Sequence, residues 1–274
     1  MKIKSTEIDD TFAEAFKMFG SRIIITAETK EWATAAAQSV TGFATSVIGC
    51  KCEVCLSKNS KDKRLRSSVL IEKNDKNIII DTGPDLRQQS LKNNIDKIDL
   101  VLYTHAHRDH VSGLDELRSF NFIQKRKIKA FGNKELVNQL KKDYSYIFQN
   151  QNYPGLPQVD LEIVENKFSF NDIDIIPIKA YHHKLKILGY RINDFTYITD
   201  AKTIKNVELQ KIHGSKVLVL NCLQIEKHIS HLNLDEALNL VEKLDVEKVY
   251  FTHISHNLGL YEKINSILPS KVSL

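Results

Sequence analysis

The segment "THAHRDH", residues 104–110, places three histidines and one aspartate within six positions. Imidazole and carboxylate groups suit divalent ions of borderline or harder character, such as zinc, manganese and iron. His105 and His107 alternate, so in extended backbone they point the same way. A turn after them would deliver Asp109 and His110 from another direction. This density of ligand-type residues predicts a metal site rather than a hydrated loop.

The number of ions follows from the number of ligands. A divalent ion takes about four to six ligands, and a catalytic site keeps one position for water. Four ligands from one short segment therefore predict two ions, each completed by residues from elsewhere in the chain. The candidates are His182, Asp200 and His253, which all end predicted strands. Asp200 is the predicted bridge, because a carboxylate can offer one oxygen to each of two cations.

The predicted elements explain how residues so far apart can meet. Apolar runs that predict strands end in ligand-type residues, such as Asp81 after "NIII" and His105 after "LVLYT". A rigid sheet can aim side chains from several strand ends at one point. Helices are predicted in "TFAEAF", "EWATAAAQSV", "DELRSFNFIQ", "NKELVNQLKKDYSYIF" and "NLDEALNLVEKL", and a strand in "RIIITA". The alternation favours a sheet-rich α/β layered fold.

The cysteines indicate a second kind of metal site. Cys50, Cys52 and Cys55 form a C-x-C-x2-C pattern, which suits one zinc ion with its fourth corner open. The opening residues "MKIKSTEIDD" contain no apolar segment typical of a secretion signal, so a metal site is favoured over a disulfide. The remaining cysteine, Cys222, lies in an apolar strand and is predicted to be a small buried residue.

Charge and hydropathy restrict the partners. The formal net charge is +5 over 274 residues, with the lysines scattered. This indicates general solubility with a slight preference for an anionic substrate, and it leaves nucleic acid open without favouring it. No apolar run approaches the length of a membrane span, so no membrane partner is expected. The cytoplasm is the predicted location, and a homodimer is left open.

Around these residues the chain resembles the metallo-β-lactamase superfamily, whose hallmark is HxHxDH. From about residue 50 to about residue 270 it is similar to the phosphoribosyl cyclic phosphodiesterase branch of that superfamily. The resemblance implies a four-layer αβ/βα sandwich, the metallo-β-lactamase fold, with a dinuclear site at one edge. The segments that carry it are "CKCEVCLS", "IIIDTGPDLRQQSL", "LYTHAHRDHVSGLDELRSFN", "LGYRI", "YITDA", "HLNLDEAL" and "THISH".

The resemblance also implies how the catalytic metal ligands are shared. Two divalent ions, zinc or manganese, are expected with Asp200 between them. The spacing to the glycine of "LGY" selects His182, with His183 as the immediate alternative. One ion would take His105, His107 and His182, and the other would take Asp109, His110 and His253.

Further roles are implied for residues outside these two ligand sets. His231, the histidine of "HLNLDEAL", is implied to donate the proton to the leaving oxygen, and His228 is a neighbour that could be confused with it. Asp81 is implied to orient a metal-bound histidine. His256 of "THISH" is implied as the fourth ligand of a structural zinc held by Cys50, Cys52 and Cys55.

The implied function is a dinuclear metal-dependent phosphodiesterase, a phosphoric diester hydrolase. It would cleave a small cyclic or nucleotide-like phosphodiester through a metal-bound hydroxide. The first alternative is an RNA-processing nuclease of the same fold, although no inserted arm rich in glycine and basic residues is present. A lactamase or thioester hydrolase is another. A non-enzymatic alternative is a metal-binding protein inactivated by its N-terminal segment.

That N-terminal segment departs from the branch. The segments "DDTFAEAF" and "TGFATSVIGC" resemble the N-terminus of formylmethanofuran–tetrahydromethanopterin formyltransferase. The branch normally opens on a Gly-rich loop before the cysteines, and that loop is replaced here. The predicted domains are a foreign helix-strand-helix segment, residues 1–49, and a hydrolase domain, residues 50–274. "RIIITA" is the candidate to substitute as an edge strand.

Overall fold

The computed structural model describes residues 21–25, 46–149 and 153–274. The helices predicted in "TFAEAF" and "EWATAAAQSV" lie outside these residues. None of the helices in the described parts of the chain is long and apolar enough to cross a lipid bilayer.

Within the described residues, the first sheet has six strands: β1 (Ser21–Ile25), β2 (Val69–Lys73), β3 (Lys76–Ile80), β4 (Leu100–Leu102), β5 (Ile128–Gly132) and β6 (Val159–Ile163). They lie in chain order, antiparallel from β1 to β3 and parallel from β3 to β6. β1 pairs with β2, which confirms the edge strand predicted in "RIIITA". Asn74 and Asp75 turn the β2–β3 hairpin with φ of 50° and 56°, as a type I′ turn requires.

The second sheet contains eight of the described strands: β7 (Phe168–Phe170), β8 (Ile173–His182), β9 (Leu185–Ile192), β10 (Phe195–Ile198), β11 (Thr203–Ile204), β12 (Ser215–Asn221), β13 (Val246–Thr252) and β14 (Val272–Ser273). Their order is β11-β8-β9-β10-β12-β13-β14, with β7 beside β8. β8, β9 and β10 are antiparallel neighbours, whereas β10, β12 and β13 run parallel.

Helices connect these strands. In the described residues they are α1 (Glu53–Leu56), α2 (Leu86–Asn93), α3 (Arg108–Val111), α4 (Leu117–Gln124), α5 (Lys134–Asp143), α6 (Ser145–Phe148), α7 (Asn206–Leu209), α8 (Leu234–Glu242) and α9 (Tyr261–Asn265). Short 3-10 turns occupy Ser60–Asp62 and Leu114–Glu116. The predicted helix in "NLDEALNLVEKL" is α8, which begins with a capping box between Asn233 and Glu236.

Side-chain alternation along the strands divides the core into three parts. Ile78 and Ile80 of β3 join Tyr190 and Tyr197 of the second sheet in a core between the two sheets. Ile79 points to the opposite face and packs with the residues of α4 and α5. The outer face of the second sheet packs against α8 and α9. The result is helix, sheet, sheet, helix, which confirms the predicted four-layer αβ/βα sandwich.

Four of the described strands were not predicted: β5, β6 and the two-residue strands β11 and β14. β5 and β6 are five residues long, and charged residues such as Lys129, Asp160 and Glu162 interrupt their apolar positions. Both lie toward one edge of the first sheet, so one face of each is partly exposed. Short alternating segments of this kind resemble polar loops in a single sequence.

Strand direction explains where the predicted ligands gather. The carboxyl ends of the parallel strands β3 and β4 lie at one edge of the first sheet. β10 and β13 run parallel in the second sheet, and β8 has the same direction because two antiparallel pairings separate it from β10. The segments that leave these strands carry Asp81, His105, His182, Asp200 and His253.

Candidate metal centre

The histidine-rich segment combines an extended stretch with a short helix. His105 lies three residues after the end of β4, and His107, the N-cap residue of α3, has extended backbone. Asp109 and His110 lie within α3, so the turn expected from the sequence is this helix. The ring centroids of His105 and His107 are 4.5 Å apart, and those of His105 and His110 are 4.3 Å apart. All of these side chains are buried except His107, which is half-buried.

Asp200 lies at the centre of the predicted ligands. Its Oδ1 atom is 2.7 Å from His253 Nε2 and 3.9 Å from His105 Nε2, and its Oδ2 atom is 3.3 Å from His110 Nε2. Its carboxylate takes part in each of three groups of potential ligand atoms within 4.8 Å of one another. These groups are Asp109, His110, Asp200 and His253; His105, His107 and Asp200; and His182, Asp200 and His231.

The backbone at three strand ends adopts a conformation that is unusual for residues other than glycine. Asp81, Asp200 and His253 have φ of 63°, 58° and 58°. Left-handed backbone in non-glycine residues costs free energy and clusters at functional sites, where the surrounding structure enforces it. Each residue follows a buried strand directly or within two positions, so the turn brings its side chain to the sheet edge.

His182 and His183 have different environments. His182 is buried, and its Nδ1 atom lies 2.9 Å from the carbonyl oxygen of Ser230 and 3.0 Å from that of Asp200. With Nδ1 as the donor, Nε2 is the atom available to a cation. His183 is exposed at the β8–β9 turn. The structure thus brings His182 to the centre, and its role as a ligand stays a prediction.

Asp81 supports His110 from behind. Its Oδ2 atom is 2.7 Å from His110 Nδ1 and accepts a hydrogen bond from Thr104 Oγ1 at 2.7 Å. Its Oδ1 atom accepts from the backbone N–H of Thr104 at 2.8 Å. Burial raises the pKa of the Asp81 carboxyl, so its charge depends on these donors. Such a carboxylate fixes the imidazole tautomer in which Nε2 can bind a metal. The contact is the one that the resemblance implied for Asp81, and its role in orienting a metal-bound histidine stays a prediction.

The loop around Asp81 approaches the metal segment so closely that glycine is required. A methyl group at Gly83 would collide with the backbone oxygen of Asp109. At Gly113 it would collide with the backbone oxygen of Gly83. The backbone N–H of Thr82 donates to His110 O at 2.8 Å, and that of Gly113 donates to Thr82 O at 2.8 Å. These contacts hold α3 against the end of β3.

Asn221 and Thr104 hold predicted metal ligands or their neighbours in place, and neither residue was predicted from the sequence. Asn221, at the end of β12, accepts a hydrogen bond from the backbone N–H of Ala201 at 2.8 Å. It also donates to the carbonyl oxygen of Ala201 at 2.9 Å, which fixes the chain next to Asp200. Thr104 connects Asp81 to His105, whose Nδ1 atom lies 3.0 Å from Thr104 Oγ1. Neither role has a signal in the sequence, because each depends on a contact between distant elements.

The side chains fit divalent cations. His105 Nε2 is buried and lacks a hydrogen-bond partner among the described residues, and the Nε2 atoms of His110 and His253 lie 2.9 Å and 2.7 Å from carboxylate oxygens of Asp109 and Asp200. Buried polar atoms without partners are costly. Burial lowers the pKa of His105 and His253, which favours the neutral imidazole that binds metal. A cation would satisfy these nitrogens.

The charge of the centre supports the same conclusion. Burial favours the neutral form of His110, yet Asp109, Asp200 and Asp81 together raise its pKa well above the usual value. Three buried carboxylates around one imidazole indicate an excess of negative charge, which a divalent cation would balance.

A second cluster joins the cysteine segment to the end of the chain. His256 Nδ1 lies 3.5 Å from Cys50 Sγ, 3.4 Å from Cys52 Sγ and 3.5 Å from Cys55 Sγ. The backbone N–H of Cys55 is the main cause that lowers the pKa of Cys52 to about 6, which favours a thiolate. Three sulfurs and one imidazole nitrogen are a donor set typical of structural zinc. The predicted meeting of these four residues is thus observed, and zinc binding stays a prediction.

His231 and Cys222 are the remaining residues with a predicted role, and both are buried. His231 is fully buried, and its Nε2 atom lies 3.1 Å from Asp200 Oδ1. This position faces the centre, as a proton donor to a substrate must. Cys222 is buried in the core beneath α8 and α9, which confirms the prediction of a small buried residue.

Comparison with known proteins identifies the class. Residues 76–254 match the family described as "Beta-lactamase superfamily domain". The chain therefore belongs to the β-lactamase superfamily, as predicted. The crystal structure of a diphosphatase from the PhnP family is 31% identical and superposes with a TM-score of 0.82, covering 93% of this chain and 94% of that one. These findings also confirm the prediction of a metal-dependent hydrolase at the level of the class.

Two curated relatives match only part of their own length. An octanoyltransferase from Porphyromonas gingivalis is 34% identical over 229 residues, 82% of this chain and 46% of the relative. A formylmethanofuran–tetrahydromethanopterin formyltransferase from Methanococcoides burtonii is 60% identical over 58 residues, 21% of this chain and 20% of the relative. The chain thus spans less than half of either relative.

The formyltransferase family itself matches residues 1–81. This match is consistent with the predicted composite chain and overlaps the superfamily match over residues 76–81. The domain boundary predicted between residues 49 and 50 stays a prediction.

Proposed function

We propose that this protein is a dinuclear metal-dependent phosphodiesterase that hydrolyses a small cyclic or nucleotide-like phosphodiester. The observation that carries the proposal is the position of Asp200, whose carboxylate takes part in both groups of metal-ligand atoms that contain residues of the histidine-rich segment. One group contains His105 and His107, and the other contains Asp109, His110 and His253. A shared carboxylate between two ligand sets suits a pair of cations.

Two divalent ions, zinc or manganese, would lower the pKa of a water molecule and balance the charge that develops on a phosphoryl group. The chain's own residues would do the rest. Asp81 and Thr104 hold the imidazoles of His110 and His105 in place. His231 directs Nε2 toward the centre, 3.1 Å from Asp200 Oδ1, and would from there give a proton to a leaving oxygen.

Burial of the centre supports a small substrate. Of the seven predicted catalytic ligands, all but His107 are buried. Such a site admits the phosphoryl end of a compact ligand more readily than a folded RNA. The sequence contains no inserted arm rich in glycine and basic residues, which the nuclease alternative would need.

Diphosphate hydrolysis is a second candidate, favoured by the 31% identity to the diphosphatase of the PhnP family. Both reactions attack phosphorus and expel an oxygen. They differ in the leaving group, because a phosphate leaves as a weaker base than an alkoxide and needs less help from an acid. Dependence on His231 therefore separates the two candidates.

The test compares four substrates with protein loaded with zinc or manganese. These are a 2′,3′-cyclic nucleotide, ribose 1,2-cyclic phosphate, a dinucleotide that contains a diphosphate, and a structured RNA. We expect turnover of a cyclic phosphodiester, lost in His253→Ala and strongly reduced in His231→Ala. Turnover of RNA alone, or of the diphosphate alone with no effect of His231→Ala, would contradict the proposal.

A repaired chain tests the non-enzymatic alternative. Residues 1–49 are exchanged for the Gly-rich opening of the phosphoribosyl cyclic phosphodiesterase branch, and both chains are assayed under the same metal loading. Activity in the unchanged chain supports the proposal. Activity in the repaired chain alone would show that this chain binds metal without hydrolysing phosphodiesters.

A further inference from the structure

A second histidine contacts the predicted proton donor on the side away from the metal centre. His231 is fully buried and directs Nε2 toward Asp200. Its Nδ1 atom lies 3.0 Å from Nδ1 of His228, and the two ring centroids are 4.9 Å apart. His228 is half-buried, in the loop between β12 and α8. The sequence alone assigned no role to His228, which is only a neighbour of His231 there.

The hydrogen-bond network decides which ring carries the proton between them. Two imidazole nitrogens 3.0 Å apart share one proton, so one ring donates and the other accepts. The backbone N–H of Ser230, which can only donate, lies 3.3 Å from His228 Nδ1. His228 Nδ1 is therefore the acceptor, and His231 Nδ1 carries the proton. Burial, followed by the charges of His231 and Lys202, lowers the pKa of His228, which agrees with a neutral acceptor.

This arrangement determines what His231 can present to a substrate. With a proton fixed on Nδ1, any second proton on the ring must sit on Nε2, the atom that faces Asp200. The backbone around His231 is held separately, because Leu232 donates to Ala201 O at 3.0 Å and accepts from Leu223 N at 3.0 Å. The ring orientation of His231 thus depends on side-chain contacts with His228 and Ser230.

We propose that His228 is the positioning residue of the proton donor His231, and that the site is built for substrates with an alkoxide leaving group. This inference rests on the proposed function. The bond between phosphorus and the leaving oxygen breaks as the Nε2 proton of His231 passes to that oxygen, which gives an alcohol. The oxygen of water forms the new bond to phosphorus, and the proton that this water releases restores Nε2. His231 keeps its Nδ1 proton, donated to His228, throughout.

The test uses two variants of one residue. His228→Phe keeps an aromatic ring but removes the acceptor, whereas His228→Asn places an amide oxygen near the position of Nδ1. Each is assayed with a 2′,3′-cyclic nucleotide, whose leaving group is a ribose hydroxyl, and with bis(p-nitrophenyl) phosphate, whose leaving group needs little protonation. His231→Ala serves as the reference for complete loss of the acid, and the metal content of every variant is measured.

We expect kcat of His228→Phe on the cyclic nucleotide to fall by about ten- to a hundredfold. The fall on the nitrophenyl ester should be roughly tenfold smaller, with unchanged metal content, and His228→Asn should recover most of the loss. Equal losses on both substrates, or loss of metal, would show a merely structural role. No loss for His228→Phe where His231→Ala loses activity would overturn the inference and leave the proposed function intact.

A spectroscopic measurement decides the positioning without turnover. Nitrogen-15 NMR of the His231 ring in the full chain should show a proton on Nδ1, and His228→Phe should lose that signature while His228→Asn keeps it. The same tautomer in all three proteins would overturn the inference. If the unchanged protein hydrolyses neither ester, the proposed function fails, and the NMR result still decides whether His228 positions His231.

Discussion

Replacement of Asp81 by asparagine tests how the protein prepares a metal ligand. Asp81 is completely buried and accepts from the backbone N–H of Thr104 at 2.8 Å and from Thr104 Oγ1 at 2.7 Å, with His110 Nδ1 at 2.7 Å. In Asp81→Asn one acceptor oxygen becomes an N–H2 donor. If the new amide N–H2 group faces the backbone of Thr104, it opposes the backbone N–H of that residue, and two donors meet without an acceptor. If the N–H2 group faces His110, it donates to Nδ1. The ring proton of His110 then moves to Nε2, which can no longer bind a cation.

One orientation of the amide in Asp81→Asn lowers the free energy of unfolding, and the other lowers the metal affinity. A buried donor without an acceptor costs about 1–3 kcal/mol of folding free energy. Loss of a supporting carboxylate behind a metal-bound histidine lowers metal affinity by about 10- to 100-fold. At about 1.4 kcal/mol per tenfold, this corresponds to about 1.4–2.8 kcal/mol of metal-binding free energy. The weakened ion should be the one assigned to Asp109, His110 and His253.

The assay is a competitive zinc titration against a chelating indicator, with denaturant unfolding of the metal-free protein in parallel. Asp99→Asn is a matched control, because Asp99 is also buried and accepts a backbone hydrogen bond, from Asn77 at 2.8 Å. It precedes β4, whereas His105 follows that strand, so it lies at the other end. We expect both variants to lose stability and only Asp81→Asn to lose metal affinity. Unchanged affinity in Asp81→Asn, or an equal loss in Asp99→Asn, would refute the role assigned to Asp81.

Three other substitutions test separate parts of the structure. Asn221→Ala should destabilise the protein by about 1–3 kcal/mol in denaturant unfolding and weaken metal binding, because the backbone N–H of Ala201 loses its acceptor; unchanged values would show that Asn221 does not hold the chain next to Asp200. Gly83→Ala should cost about 1–3 kcal/mol and lower the melting temperature, since the methyl group meets the backbone of Asp109; a neutral effect would contradict the close packing. Cys52→Ser should remove the structural zinc and leave the other ions in metal analysis, whereas retention of all ions would contradict the cysteine site.

Much of this organisation could be predicted from the sequence. The apolar runs before Asp81, His105 and Asp200 form buried strands. A strand that is buried on both faces appears in a sequence as a continuous apolar run, and here a polar residue follows each run. The spacing of the histidines near α3 indicated metal chemistry without any tertiary information. Because ligand-type residues at strand ends meet at a sheet edge, the pattern also predicted which distant residues gather around Asp200.

The remainder depends on contacts that a sequence does not display. His228 matters because a loop brings its Nδ1 atom to 3.0 Å from His231, and nothing in its local sequence encodes that distance. Asn221 is the polar residue at the end of an apolar strand. Its hydrogen-bond partner, the backbone of Ala201, is distant in the sequence and is found only in the structure. The choice between His182 and His183 rested on family resemblance, whereas the structure separates them by burial.

Quantitative metal analysis of the purified full chain tests the central claim most directly. We expect about three divalent ions per chain, of which about two leave on mild chelation and one stays with the cysteines. His253→Ala should reduce the chelatable ions and leave the resistant one. A single ion per chain, or chelatable ions unaffected by His253→Ala, would contradict the proposal that Asp200 lies between two cations.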